Sequence, residues 1–355
     1  MDKSAPKPYR KRTGRGAGIN PPNRFVPVEI LPADEYLEEE APSPRTEFYK
    51  DASKTIITYN DSPDVGFNAG INPYRGCEHG CVYCYARPSH EYFELSAGLD
   101  FETKIFVKEK APELLRRELS SRKWKPQVIG LSGNTDAYQP VERRLQLTRR
   151  CLEVLAEFRN PVGIVTKNFL VTRDIDLLQE LARYQAAAVF ISITTLDGDL
   201  ARILEPRTSH PERRLEAIRQ LHAAGVPAGV MVSPVIPGLT DHEIPQIVQA
   251  AANAGAQYAG HTMLRLPYSV KELFVDWLER HLPDRKDKIL NRIKAVRGGK
   301  LNDSRFYERM RGEGIFAEQI HDMFKLACRK AGITGRGPHL STANFRRPGE
   351  QLEMF

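Results

Sequence analysis

Between residues 128 and 264 the chain alternates short apolar runs with amphipathic stretches, and that alternation leaves few folds open to it. The runs at 128–131, 162–165, 187–193, 226–232 and 258–264 are each followed by a segment of helical periodicity, such as Leu145, Leu152 and Leu155, or Leu215, Ile218 and Leu221. Strands that alternate with helices predict a parallel sheet, and strands apolar on both faces agree with it. Chemistry in such sheets sits at the C-terminal ends of the strands. There the sequence turns polar at once, in Ser132-Gly133-Asn134-Thr135-Asp136, in Thr166-Lys167-Asn168, and at Ser192 and Thr194.

One more strand before residue 77 makes about six strand–helix units. The expected fold class is therefore α/β, a partial (β/α)6 TIM-like barrel with a basic N-terminal arm and a helical C-terminal extension. Boundaries are expected at 1–55 for a basic then acidic extension, 56–270 for the core, 271–335 for the helical extension and 336–355 for a flexible tail. After about 270 the strands stop, and Leu273, Trp277 and Leu278, Ile289 and Ile293, and Phe316, Ile320 and Phe324 mark amphipathic helices.

The net charge of +7 is unevenly spread. Residues 1–24 carry seven basic and one acidic side chain, residues 25–53 two basic and eight acidic, residues 54–280 sum to zero and residues 281–355 carry +7. Basic ends around a neutral body point to a polyanionic partner such as nucleic acid, or else to a solvated tail offset by Glu38, Glu39 and Glu40. The basic N-terminus is not followed by an apolar stretch, and the most apolar segment, 223–239, is broken by Pro227, Pro234 and Pro237. The expectation is a cytoplasmic protein with no membrane partner.

Five cysteines without a secretory signal argue against a disulfide framework, and three of them, Cys77, Cys81 and Cys84, fall within eight residues. The loop that holds them is marked by Asn72-Pro73, Gly76 and Gly80. Three thiolates on one short loop can hold three irons of a cubane cluster and leave the fourth open to a small ligand. A structural zinc site with His79 or His90 as fourth ligand is the alternative, although the C-x3-C-x2-C spacing is unusual for one. Cys151 and Cys328 sit in helical patterns among apolar neighbours and are expected to pack.

The segment Gly76-Cys77-Glu78-His79-Gly80-Cys81-Val82-Tyr83-Cys84-Tyr85-Ala86 resembles the signature of radical S-adenosylmethionine enzymes. The similarity is nearest to the spore photoproduct lyase-like, DNA repair photolyase-related branch. Asn134-Thr135-Asp136, Val165-Thr166-Lys167, Ile191-Ser192-Ile193 and Glu205-Pro206-Arg207-Thr208-Ser209, with Arg214 and Glu216, resemble further segments of that branch. The resemblance implies a [4Fe-4S] cluster on Cys77, Cys81 and Cys84. It also implies S-adenosyl-L-methionine as cofactor, an adenine contact from the Tyr83 main chain, and cofactor contacts from Thr135, Lys167 and Ser192, with Asn134, Asp136 and Arg207 in the same set. Helix capping by Thr135 or Asp136 and a surface role for Lys167 are the plainer readings of those residues. Reductive cleavage of the cofactor to a 5′-deoxyadenosyl radical is implied, as is an electron donor such as flavodoxin or ferredoxin.

The branch's lyases carry a cysteine three residues before the aspartate, and here that place holds Gly133, so photoproduct reversal by that route is not expected. Tyr85 and Tyr138 are candidate radical relays, and Arg265, Tyr268 and Arg207 are candidates for the barrel mouth. The terminal Gln351-Leu352-Glu353-Met354-Phe355 resembles the pentapeptide with which bacterial DNA-repair proteins dock on the sliding clamp, through Gln351, Leu352, Met354 and Phe355. The expected function is a radical enzyme acting on nucleic acid, in DNA repair or modification and lyase-like. The alternatives are the same chemistry on a small molecule, protein or RNA, and a non-catalytic metal- or cluster-binding protein that binds nucleic acid.

Overall fold

A computed structural model describes residues 15–26, 45–335 and 337–348. The clamp-like pentapeptide and most of the basic N-terminal arm lie outside them. The strands are β1 (Glu47–Lys50), β2 (Ile57–Tyr59), β3 (Ala69–Ile71), β4 (Tyr74–Arg75), β5 (Lys104–Val107), β6 (Ile129–Leu131), β7 (Val162–Thr166), β8 (Ala187–Ser192), β9 (Ala228–Val235) and β10 (Tyr258–Met263). Seven of them form one sheet in the order β10-β9-β8-β7-β6-β3-β2, and β1, β5 and β4 form a smaller one.

The five apolar runs are β6 to β10, and β3 is the strand before the cysteines, so six strands run parallel. Only β2 pairs antiparallel in the large sheet, against β3. Among the described residues β2 and β10 are opposite edges that do not pair, so the sheet is open, in keeping with a partial barrel. The register sets Ala69 beside Ile129, Ile129 beside Val162 and Val162 beside Ala187, which gathers the strands' C-terminal ends along one rim.

Helices cover the faces because each crossover between parallel strands returns over the sheet. Helices Leu147–Phe158, Ile175–Arg183, Pro211–Ala223 and Ile244–Asn253 bury Leu152 and Leu155, Leu178 and Leu181, Ile218 and Leu221, and Ile247 and Val248 in one core with Val162, Val189 and Val230. Leu145 is separated from this stripe because Gln146, at φ 51°, breaks the helix, and it packs instead beside Tyr74 and Val107. Cys151 is buried in the main core, whereas Cys328 is only partly buried against it.

Beyond β10, helices Val270–His281 and Lys286–Ala295 bury Leu273, Trp277, Leu278, Ile289 and Ile293 in a second core that also contains Cys81, Val82 and Tyr83. Helix Ile315–Lys330 joins the main core through Ile320 and Phe324. Residues 337–348 lie along the chain body, with the Ser341 N–H donating to Gln185 O and the Arg346 N–H to Phe158 O, each at 2.9 Å. Among the described residues no helix is long and apolar enough to cross a membrane.

Candidate active site

The cysteine loop follows β3 and the short β4 at the rim and is held from several sides. Gly76 and Gly80 adopt φ of 79° and 69°, conformations that only glycine enters without cost. The buried Gln139 side chain brackets Cys77: its Nε2 donates to Gly76 O at 3.1 Å, and its Oε1 accepts from the Glu78 N–H at 3.0 Å. Glu78 is itself pinned by Arg207 at 3.0 Å and by the Val141 N–H at 2.7 Å. Fully buried Arg87 donates to Cys81 O at 3.0 Å and to Glu102 at 2.5 Å.

Glu102 also accepts the N–H groups of Gly16 and Ala17, at 3.1 and 2.8 Å. Residues 15–17, from the stretch read as a lead-in, are thereby strapped against the cysteine loop. The approach is so close that a Cβ on Gly16 would stand 1.8 Å from Gly80 O. The physical cause is the buried carboxylate, which needs more donors than Arg87 supplies.

None of the three thiols is in a disulfide; Cys77 and Cys81 are buried and Cys84 partly so. Burial pushes all three thiols upward, so as free groups they stay protonated at neutral pH, and metal binding is what stabilises the thiolate in such a place. Among the described residues no three His, Cys, Asp or Glu side chains converge on a position for a single ion. His79 and His90 are engaged elsewhere: His79 meets Asn168 at 3.2 Å and Asp136 at 3.4 Å, and His90 Nε2 lies 2.8 Å from Lys104 O. Three thiols on one loop without a converging fourth ligand fit a multi-iron cluster better than a zinc knuckle.

Polar side chains from the neighbouring strands gather beside the thiols. Lys167, just past β7, donates to Ser192 Oγ at 2.8 Å, Thr194 Oγ1 at 3.1 Å and Ser233 O at 2.9 Å, and lies 3.2 Å from Glu205. Burial opposes ionisation of Glu205, but the Arg214 and Lys167 charges and the Thr194 and Tyr83 hydroxyls outweigh it and hold the carboxyl well below the usual range. The Lys167 charge in turn favours the thiolates of Cys81 and Cys84.

Asp136 accepts from Thr166 Oγ1 at 2.8 Å and from the Lys167 N–H at 2.9 Å, so it ties the end of β6 to that of β7. It is not a helix cap, and neither is Thr135, whose hydroxyl donates to Tyr74 O at 2.8 Å. Asn134 is exposed at the rim, and Asn72 Oδ1 accepts its N–H at 3.1 Å. Arg207 turns to Glu78 and Thr46.

The expected residues therefore come together around the loop, while Gln139, Arg87 and Glu102 carried no sequence signal because their partners are the cysteine loop's backbone and a strap far away in the chain. Arg214 does meet Glu205, but Glu216 is on the surface with Arg219 and Gln220. Tyr85 is exposed and its hydroxyl donates to Gly133 O at 2.6 Å, whereas Tyr138 is buried in the main core.

The chain is similar to several known proteins. The family model of the Radical SAM superfamily matches residues 71–251, about half of the chain. An uncharacterized protein of Mycobacterium tuberculosis is 38% identical over 220 residues, which cover 61% of this chain and 65% of that protein. The chain thus spans slightly under two thirds of that relative's length. The radical SAM Nalpha-GlyT isomerase of Pseudomonas phage M6 is 25% identical over 219 residues, covering 61% of this chain and 43% of the isomerase. In fold, the chain is similar to spore photoproduct lyase complexed with dinucleoside spore photoproduct, with a TM-score of 0.58 at 16% identity over 80% of this chain and 79% of the lyase. The superfamily's cofactors are a [4Fe-4S] cluster and S-adenosylmethionine. With three disulfide-free thiols on the loop after the first parallel strand and the family match spanning that loop and four further parallel strands, the chain belongs to the radical S-adenosylmethionine superfamily.

Proposed function

We propose that this protein is a radical S-adenosylmethionine enzyme acting on nucleic acid, with Cys77, Cys81 and Cys84 as the cluster ligands. When bound and reduced by a flavodoxin- or ferredoxin-type donor, the cluster supplies the electron that splits the sulfonium of S-adenosylmethionine to a 5′-deoxyadenosyl radical. The observation that carries the reading is the placement of three disulfide-free thiols on the loop that follows β3 and β4, beside the rim where β7 and β8 deliver Lys167 and Ser192.

In this reading the chain's own residues position and shield. Lys167, with Ser192 and Thr194, offers a cation and hydroxyls to a zwitterionic ligand, as carboxylate, amine and ribose groups require. The Tyr83 main chain and Asn134 contribute from the loop and the rim, while Thr135, Asp136 and Arg207 hold the backbone that frames them. Support for a nucleic-acid substrate comes from the basic ends of the chain and from the similar fold of a lyase complexed with a dinucleoside photoproduct. Gly133, just past β6, offers no thiol for hydrogen return, so photoproduct reversal by that route is not part of this reading, which is repair or modification of nucleic acid.

The test is anaerobic loading with iron and sulfide, reduction, and measurement of 5′-deoxyadenosine and methionine released from S-adenosylmethionine. Both are expected from the unsubstituted protein and neither from a variant with all three cysteines changed to serine. A loaded, reducible protein that leaves S-adenosylmethionine intact would end the proposal.

A further inference from the structure

The segment leaving β10, residues 264–269, brings two unusual groups to the rim beside the thiol loop. The first is Arg265, which is partly buried and forms no ion pair with a carboxylate among the described residues. Its Nη1 lies 3.7 Å from the Met310 sulfur, and its guanidinium stands 5.0 Å from the centre of the Tyr85 ring. The nearby carboxylate, Asp64, is engaged by Arg309 and by the Tyr307 N–H at 2.6 Å, and the Arg309 charge acts against that of Arg265. Tyr85 directly follows the third cysteine and touches Gly133 just past β6. A guanidinium kept at a site entrance with no ion pair of its own among the described residues, its nearest carboxylate Asp64 shared with a second arginine, is a position for an anion.

The second is Tyr268, whose φ of 50° is a conformation that an L side chain enters only at a cost. The residue is 57% exposed. Arg24 lies 3.6 Å over that ring, fixed by its ion pair with Glu91, and Ser269 Oγ holds the same carboxylate at 3.3 Å. Beside it Phe25 and Tyr92 stack at 5.1 Å between centroids, though 54% and 72% of their surfaces face solvent. Anchored rings with open faces next to arginines are the elements of a surface that stacks bases and tracks phosphates.

We propose that a single-stranded or unpaired segment of nucleic acid lies along this edge, with Arg265 taking a backbone phosphate and the rings of Tyr268, Phe25 and Tyr92 stacking its bases. Fully paired duplex presents no free base face to such rings, so the edge selects unpaired nucleotides. This inference rests on the nucleic-acid reading above and assigns it residues.

The experiment measures binding of a fluorescent oligonucleotide to the cluster-loaded protein over a salt series, single strand against the matching duplex. Release of 5′-deoxyadenosine from the unsubstituted protein is recorded separately. The single strand is expected to bind more tightly than the duplex. Tyr268→Gly, which suits the backbone conformation and removes the ring, should weaken it about tenfold or more, whereas Tyr268→Phe should keep it. Arg265→Gln should lower the slope of log affinity against log salt by about one, and Arg265→Lys should restore it. Equal affinity for duplex and single strand, or wild-type binding and salt slope in both Tyr268→Gly and Arg265→Gln, overturns the assignment while 5′-deoxyadenosine release upholds the radical chemistry. Absence of that release overturns the enzyme reading instead.

Discussion

Glu205 shows how single side chains hold the site together. It is fully buried and stays ionised because Arg214, Lys167, Thr194 and Tyr83 surround it. Glu205→Gln removes the charge and leaves Arg214 buried without it, and a loss of about 3 kcal/mol or more is expected in urea unfolding, since breaking one side of a buried pair strands the other. A stability change under about 1 kcal/mol would contradict this account. His90 is a second case. Burial lowers its pKa from 6.5 to about 4, so the folded state holds it neutral while the unfolded state protonates first as pH falls. Its contribution is complete above about pH 6.5 and drains away toward pH 4, amounting to about 2 kcal/mol lost by pH 5. Unfolding midpoints at pH 7 and pH 5 should therefore diverge less in His90→Leu than in the unsubstituted protein, and an unchanged divergence would remove His90 as the cause.

Among the elements, the strap is the one whose role is most open to measurement. Residues 15–17 complete the coordination of the Glu102 carboxylate and touch the cysteine loop at Gly80. Deleting residues 1–24 takes away both N–H donors and leaves a buried carboxylate short of partners, whereas deleting residues 1–14 keeps them. The longer deletion is expected to lower iron retention after loading and to cost about 2–4 kcal/mol, the shorter to do neither. Gly16→Ala should behave as a mild form of the longer deletion, because its added carbon meets backbone that can yield only by moving the loop. Iron content and melting temperature of the three proteins read this out, and equal values for the two deletions would refute a structural strap.

For the whole molecule, charge is distributed so that the ends, not the sheet, carry the excess: residues 1–14 hold five basic and one acidic side chain, and residues 281–355 hold +7. If those ends neutralise phosphates, oligonucleotide affinity falls steeply with salt, and the slope becomes shallower when residues 1–14 are removed. Since the strap survives that deletion, a change in slope reports on charge and not on a damaged cysteine loop. An identical slope in the two proteins would assign the basic N-terminus no part in binding.

Much of this protein was written in short-range pattern. The apolar runs became β6 to β10 at nearly their expected limits, and the cysteines, Lys167 and Ser192 stood out because strand periodicity and loop spacing depend on neighbours a few positions away. What only the tertiary structure decided is which distant polar groups meet. Glu102 finds Gly16 across 86 positions, Ser269 finds Glu91 across 178, and Gln139 closes on the cysteine loop from 63 residues beyond Gly76. Such contacts follow from sheet order and register, which bring strand ends to one rim, and from the need of each buried charge and N–H for a partner. Arg265 is the converse case: an arginine looks alike in any sequence, and only the surrounding packing shows that it reaches the rim with no ion pair of its own among the described residues.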